Sequence, residues 1–242
     1  PMDMDAGVII ALPNIPGMEN CPLRDSVGEA LQMPAVLEND ANAAAYGEYV
    51  CGAGREATDM VMLTLGTGVG GGVVLGGEVL HGATNLAGEI GHMIVQPEGE
   101  HCGCGQRGCL ERYASATYLA EYARRLIEDH RRDSSLAGKL ATDGAFDAAD
   151  VNAARRAGDA LAAEVWDRTA YYLAIGCVSL CRIFDPDEIV LAGGLSKAGE
   201  DLLVPLRRHV GKQNWTIMDT PTEMVTASLG SAAGVIGAGA LA

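Results

Sequence analysis

The sequence has few positive charges. Its 17 lysine and arginine residues are outnumbered by 32 aspartate and glutamate residues, which gives a formal net charge of −15. Surfaces that bind nucleic acids are usually basic because they contact the phosphate backbone, so this balance argues against a nucleic-acid partner. It does not exclude phosphate-bearing substrates, because backbone amides and a divalent cation can bind phosphates locally.

The sequence also lacks a long apolar run. No segment reaches the roughly 20 apolar residues that a membrane-spanning helix needs, and the Ala- and Gly-rich segment from Leu229 is better explained as a close-packed helix. The seven cysteines are an odd number without regular spacing, which does not fit a disulfide framework. We therefore expect a cytoplasmic protein with no membrane partner.

Strand-like and helix-like segments alternate along the chain, which predicts an α/β fold. We expect strands at 8–12 and 34–38, an apolar hairpin at 59–80, and a strand, glycine turn and helix at 185–210. Helices are expected at 22–32, at 114–130 and after a cap at Asp40. The polar, alanine-rich stretch that ends near Asp150 predicts a linker.

A long helix is indicated by apolar residues spaced alternately four and three apart, namely Trp166, Ala170, Leu173, Cys177, Leu180 and Phe184. Cys177 and Cys181 are four residues apart on or near this stripe. Metal ligation by this pair is conceivable, but core packing is the favoured interpretation because a free cysteine behaves as a small apolar side chain.

A cysteine cluster occupies the segment CGCGQRGCLE, residues 102–111. Cys102, Cys104 and Cys109 form a C-x-C-x4-C pattern, and His92 stands ten residues before the first of them. Three thiolates and one imidazole complete a tetrahedral zinc site, and four protein ligands leave no open position, so we expect structural Zn²⁺. The alternatives are a disulfide or free thiols, and His101 is a rival fourth ligand. A zinc-bound His92 would present its second ring nitrogen as an oriented donor.

A glycine-rich turn, LGTGVGGG at 65–72, invites comparison with nucleotide-binding loops. A Rossmann loop opens a helix, whereas here VVL continues as a strand, and the G-K-[ST] of a P-loop is missing. A strand–turn–strand hairpin can still bind phosphates with its amides, although an ordinary tight hairpin remains the alternative. LAGGLS at 191–196 is equally compatible with a packing turn.

Five motifs occur in a fixed order: ENDANAAAYGE, LTLGTGVGGG, GEIGH, CGCGQRGCLE and LAGGLS. Together they resemble the ROK family of sugar kinases and repressors, most closely its glucokinase branch. The resemblance implies an actin-like, ribonuclease-H-type ATPase fold with two lobes. We expect a remnant of the small amino-terminal lobe at 1–41, the large lobe with the zinc loop at 42–228, and a terminal helix at 229–242 that packs back toward the small lobe.

The resemblance also implies roles for particular residues. Asp40 would be the general base, and the zinc ligands would be His92, Cys102, Cys104 and Cys109. Sugar hydroxyls would be bound by Asn39, Glu89, His92 and Glu111, with Asn14 as a weaker candidate. Phosphates would meet Gly66, Thr67, Gly68 and Gly70, and the adenosine would meet Gly193, Gly194 and Leu195. Alternatively, Asp40 only caps its helix, and Glu89 and Glu111 are solvated loop residues.

The expected activity is phosphorylation of a hexose by ATP with Mg²⁺, with glucose and its 6-hydroxyl favoured. N-acetylmannosamine, N-acetylglucosamine or fructose are alternative substrates, and polyphosphate is an alternative donor. A sugar-responsive transcriptional repressor of the same family and a zinc-dependent hydrolase are alternative functions. The resemblance favours a homodimer or homotetramer.

The sequence departs from the family's kinases at one point. Those kinases have a D-x-G-G-T phosphate loop on their first hairpin, and this sequence has no such motif. Its opening, PMDMDAGVII, resembles a region that follows the loop. We therefore expect an incomplete amino-terminal lobe, and a chain with little activity in the form given.

Overall fold

A computed structural model describes residues 2–11, 17–129, 132–218 and 221–242. The strands are β1 (Met2–Asp3), β2 (Val8–Ile9), β3 (Met60–Leu65), β4 (Val69–Leu75), β5 (Glu78–Val79), β6 (Glu188–Ala192) and β7 (Glu223–Thr226). The helices are α1 (Leu23–Leu31), α2 (Asp40–Cys51), α3 (Glu111–Ala114), α4 (Ala116–Glu128), α5 (Leu136–Asp143), α6 (Ala148–Arg156), α7 (Ala160–Phe184), α8 (Glu200–Gln213) and α9 (Ala233–Leu241). Short 3₁₀ turns cover Ile90–His92, Leu195–Ala198 and Gly230–Ala232. The α/β class is as predicted.

The central sheet has the strand order β5-β4-β3-β6-β7. β3 and β4 form the predicted antiparallel hairpin, in which Leu65 pairs with Val69. β6 runs parallel to β3, and β7 runs parallel to β6. The carboxyl ends of β3 and β6 therefore lie at the same edge of the sheet, so the glycine turn after β3 lies beside the glycine turn after β6.

Both faces of β3 are covered, which explains why five of its six residues are apolar. Val61, Leu63 and Leu65 face a large core that also contains the buried side of α7. Met60 and Met62 face the opposite side, where they pack with Ala45 of α2 in a smaller core. Alternate residues of β3 thus pack against α7 on one face of the sheet and against α2 on the other face.

The long helix α7 carries the predicted stripe. Its side chains from Trp166 to Cys181 on that face are at most 3% exposed, and Phe184 at its end packs against the same core. Cys177 and Cys181 are both buried there, and burial raises the pKa of each thiol. This confirms core packing for the pair.

Within the described ranges no helix combines the length and the hydropathy needed to cross a bilayer.

The terminal helix α9 packs closely against α2, as its composition predicts. A Cβ atom on Gly237 would lie 1.6 Å from the carbonyl oxygen of Ala43, and one on Gly47 would lie 2.1 Å from that of Ala233. Only glycine permits this approach of the two backbones. The lobe boundaries at 41 and 228 remain predictions.

Three predictions about local structure are wrong. Residues 34–38 have no regular secondary structure and are half-buried or exposed, and no described strand pairs with them. Asn39, not Asp40, caps α2. The expected linker contains α5 and α6, because Gly144 ends one helix in a left-handed conformation and Asp147 and Asp150 form a capping box that starts the next. Of the strand expected at 8–12, Val8–Ile9 is observed and residue 12 lies outside the described part.

Candidate functional site

The four predicted zinc ligands converge on one point. One donor atom from each of His92, Cys102, Cys104 and Cys109 can be chosen so that all lie within 4.8 Å of one another. Cys102 Sγ lies 3.7 Å from His92 Nδ1, and Cys104 Sγ lies 3.6 Å from Cys109 Sγ. At a zinc–sulfur distance of about 2.3 Å, the edge of a tetrahedron is about 3.8 Å. The donor set and its spacing therefore fit a structural zinc ion.

The thiols of the cluster have different acidities. Burial raises the pKa of Cys109 to about 12 and also raises the pKa of Cys102. Hydrogen bonds from Gln106 lower the pKa of Cys104 to about 6. Two buried, protonated thiols become ligands only when a cation favours their thiolates, so zinc binding is expected to release protons.

The loop around the cluster is held by its own backbone. The amide of Cys102 donates to the carbonyl of Gln106 at 2.9 Å, and Cys109 forms an isolated bridge with Ile94. His101 lies outside the cluster, with its Nε2 2.5 Å from a guanidinium nitrogen of Arg107. The described geometry thus selects His92 over His101 as the fourth ligand.

Two of the predicted sugar-binding residues lie against this cluster. His92 directs Nδ1 to the sulfur atoms and Nε2 toward Glu89, whose carboxylate is 3.9 Å away. Glu111 lies with one carboxylate oxygen 3.7 Å from Cys102 Sγ, and its other oxygen accepts a hydrogen bond of 3.1 Å from the amide of Val69. Glu111 therefore connects the zinc loop to the first residue of β4.

The start of α2 reaches the same strand from the other side. Asn39 caps the helix, and its Oδ1 accepts from the amides of Ala41 at 2.8 Å and Asn42 at 3.2 Å. Asp40 is the first helical residue and is exposed. A Cβ added to Gly70 of β4 would lie 3.5 Å from the Cβ of Ala41. Ala41 therefore packs on β4, and Asp40 is the residue before it.

The glycines of the hairpin have different surroundings. Gly72 faces α2, where an added Cβ would lie 2.5 Å from that of Ala45. An added Cβ on Gly70 would lie 2.6 Å from Oγ1 of Thr64 in β3 and in ordinary contact, at 3.5 Å, with that of Ala41. A Cβ on Gly68 would lie 2.2 Å from the carboxylate of Glu111. Gly66 has no described neighbour within 4 Å of an added Cβ. Packing against α2 thus explains the glycine at position 72. Of the described residues 66–72, Gly66 and Thr67 are the ones that face open space.

That open space is a cleft of about 590 Å³ beside the hairpin turn. Gly66, Thr67 and Gly194 line it together, so the two glycine turns predicted to bind phosphate and adenosine share one cavity. Gly193 has a φ of +87°, and its α-carbon lies against the backbone of Leu65. Leu195 is 3% exposed and packs in the core, so its side chain is not available to a ligand.

Sequence reasoning missed most of the far wall of this cleft. It is formed by α4, by the start of α6 and by the connection between α5 and α6, with the lining residues Ala116, Thr117, Ala120, Glu121, Arg124, Gly144, Ala145, Phe146, Asp147 and Ala148. Phe146 supplies the only aromatic ring among the described residues that line the cleft. Phe146 falls in the stretch expected to be a linker. The capping box that follows it, at Asp147 and Asp150, is the sequence signal that could have shown a helix beginning there.

Sequence reasoning also missed two side chains near Asp40. Glu38 accepts hydrogen bonds from the amide of Asn39 and the side chain of Asn42, and its other oxygen lies 2.7 Å from His81 Nε2. Asn14, the weaker sugar-binding candidate, lies outside the described residues, and its role remains a prediction.

The sheet topology and the site geometry together indicate the class of protein. A central mixed sheet with a glycine hairpin, an acidic helix start and a nucleotide-sized cleft is found in the actin-like ATPase fold, and the solved structures similar to this chain include sugar kinases of that fold. The chain belongs to the ROK family, whose model matches residues 1–242.

Relatives within the family include kinases and regulators. The glucokinase of Halalkalibacterium halodurans is 44% identical over 239 residues, which cover 98% of this chain and 72% of the relative. A ROK family glucokinase from Streptomyces griseus, solved in complex with glucose and AMPPNP, is 34% identical with a TM-score of 0.84 and covers 100% of this chain and 78% of its own. The xylose repressor of Bacillus subtilis is 28% identical over 215 residues, 89% of this chain and 52% of the relative.

Proposed function

We propose that this protein transfers a phosphoryl group from ATP to a hexose, and that glucose is converted to glucose 6-phosphate. The observation that carries the proposal is the meeting of three parts around the first residues of β4. Glu111 of the zinc loop bonds to Val69, the helix that starts at Asp40 packs on Gly70, and the turn at Gly66 opens onto the nucleotide-sized cleft.

The sugar would lie between the start of α2 and the zinc loop. Hydroxyl groups both donate and accept hydrogen bonds, so carboxylates and amides suit them as partners. Glu89, Glu111 and the Nε2 of His92 border the zinc side, and Asn39 borders the helix side. The zinc ion would hold the ring of His92 with its second nitrogen turned toward the sugar, and we assign it no other part in the reaction.

Asp40 is proposed as the general base. Its carboxylate is exposed at the first position of α2, where the helix start favours a negative charge. It would accept the proton of the attacking hydroxyl as that oxygen bonds to the γ-phosphorus and the bond to the leaving oxygen of ADP breaks. Phosphoryl transfer depends mainly on positioning and charge stabilisation, so one carboxylate suffices.

The nucleotide would occupy the cleft lined by Gly66, Thr67, Gly194 and Phe146. Amides of the hairpin turn and the Thr67 hydroxyl are suited to phosphate oxygens, and the ring of Phe146 is suited to a purine. Mg²⁺ bound to the nucleotide would neutralise phosphate charge. The adjacency of this cleft to Val69 supports a single site for both substrates.

The test is ADP release by the natural full-length protein, measured with a panel of hexoses that includes N-acetylmannosamine, N-acetylglucosamine and fructose. We expect the highest kcat/KM with glucose. Asp40→Asn should lower kcat about 10²- to 10⁴-fold, because an amide cannot accept the proton. Asp25→Asn, which changes another exposed aspartate in the first turn of a helix, should retain full activity. Near-normal activity of Asp40→Asn would refute the assignment of the base.

A sugar-responsive repressor is the second candidate function, since the xylose repressor of Bacillus subtilis shares most of the length of this chain. The zinc cluster does not distinguish the two candidates. A repressor would bind duplex DNA and change its affinity when sugar is added. Sugar-dependent DNA binding without ADP release from any hexose would favour the repressor over the kinase.

A further inference from the structure

The carboxylate of Glu38 is enclosed at the point where α2 meets the loop that carries Glu89. Its side chain is 9% exposed. One oxygen accepts from the amide of Asn39 at 2.8 Å and from Asn42 Nδ2 at 2.9 Å, and the other lies 2.7 Å from Nε2 of His81. Because an ionised carboxylate only accepts hydrogen bonds, His81 donates through Nε2.

His81 lies at the beginning of that loop. Its carbonyl oxygen accepts from the amide of Ala87 at 3.0 Å, which closes residues 81–87 into a compact turn. Gly88 follows and approaches α2 directly, since a Cβ on it would lie 3.4 Å from Oδ1 of Asn42. The next residue is Glu89. His81 therefore connects the turn to Glu38: its carbonyl oxygen holds the far end of the turn, and its imidazole contacts the carboxylate.

The same carboxylate holds the residues around Asp40. Asn39, the cap of α2, and Asn42, in the first turn of that helix, both donate to the oxygen Oε1 of Glu38. A shift of Glu38 would therefore move the cap of the helix as well as the loop. No side chain other than that of Glu38 is described as bonding to both His81 and the start of α2.

We infer that Glu38 and His81 are a positioning pair that keeps the proposed base, Asp40, at a set distance from the sugar-binding residue Glu89. This inference rests on the proposed function. The pair contacts neither reacting atom; it acts by holding two surfaces of the sugar site together. Misplacement by about 1 Å can lower a rate on the order of 100-fold, so loss of the pair should reduce kcat while the nucleotide cleft is unaffected.

The test compares three variants in the ADP-release assay. His81→Ala removes the donor and should lower kcat with the preferred hexose about tenfold or more, with KM for ATP within twofold of the wild type. His81→Gln supplies an amide donor of similar reach and should recover most of the loss. His101→Ala, which changes a histidine outside the candidate zinc ligands, should match the wild type. If His81→Ala does not fold, His81→Phe, which keeps a ring without a donor, replaces it.

Amide hydrogen exchange separates this inference from the proposed function. In His81→Ala, the amides of Asn39 and Ala87 should exchange faster than in the wild type, whereas those in β3 should not change. Unchanged kcat in His81→Ala, or equal losses in His81→Ala and His81→Gln, would overturn the pair. If no hexose supports ADP release by the wild type, the proposed function fails. Amide exchange then tests the positioning pair by itself, and unchanged exchange rates at Asn39 and Ala87 in His81→Ala would overturn the pair.

Discussion

Gly237→Ala tests the close contact between α9 and α2. A Cβ at this position would lie 1.6 Å from the carbonyl oxygen of Ala43 and 2.7 Å from the amide nitrogen of Gly47. Both are backbone atoms of α2 and cannot rotate away, so the two helices must separate. Overpacking of this kind costs about 1–3 kcal/mol, whereas alanine gains about 1 kcal/mol over glycine in helix propensity. The difference is a net loss of up to about 2 kcal/mol, and we expect the upper part of that range because the contact is so short.

The same helix offers matched controls. Gly234 and Gly239 also belong to α9, and an added Cβ on either meets no described atom within 4 Å. Gly234→Ala and Gly239→Ala should therefore raise the free energy of unfolding by up to about 1 kcal/mol. One chemical change on one helix is thus expected to have opposite signs at different positions.

Urea unfolding followed by circular dichroism measures these differences. For a chain of this size, 1 kcal/mol corresponds to about 2–4 °C in Tm, so thermal scans provide a second measurement. If Gly237→Ala is as stable as Gly239→Ala, the two helices do not approach as described. The close packing at Gly47 would then also be wrong.

Three further predictions concern other parts of the molecule. Phe146→Ala should raise KM for ATP about tenfold, the order of one lost stacking contact, and leave KM for the hexose unchanged in the ADP-release assay. Glu111→Gln should raise KM for the hexose and leave KM for ATP unchanged, since Glu111 borders the sugar side. Burial alone would raise the pKa of Asp159, but hydrogen bonds from the amide of Ala162 and from Ser135 and Ser134 outweigh it and lower this pKa to about 2. The resulting stabilisation is complete above about pH 4 and is lost as the pH falls toward 2, so the deficit of Asp159→Asn in urea unfolding should be largest at neutral pH and shrink below pH 4.

The four candidate zinc ligands could be predicted from the sequence because they lie close together in it. Cys102, Cys104 and Cys109 share one glycine-rich loop, and His92 precedes it by ten residues, so short-range geometry decides the set. The hairpin and α7 were predictable for a related reason. Apolar periodicity marks the buried face of α7, and two apolar runs on either side of a glycine turn mark strands that are covered on both faces; the cores of the structure bury those residues.

Other features depend on contacts that the sequence does not record. Glu38 and His81 are 43 positions apart, and nothing in either residue's neighbourhood indicates the other. Phe146 reaches the cleft only because α5 and α6 fold back beside α4. Residues 34–38 have a strand-like composition, but a strand needs a neighbour, which local sequence does not supply. Asn39 and Asp40 are both good caps, so the choice between them depends on the surrounding loop.

The most direct measurement is glucose affinity, determined by calorimetry, for the protein with zinc, after zinc removal by a chelator, and after zinc is restored. Circular dichroism must show that the metal-free protein is still folded. Because Glu111 contacts Cys102, and His92 is both a candidate zinc ligand and a neighbour of Glu89, zinc removal should weaken glucose binding about tenfold or more, and restored zinc should recover it. Unchanged affinity in folded, metal-free protein would contradict the claim that the zinc cluster and the sugar-binding surface form one structural unit.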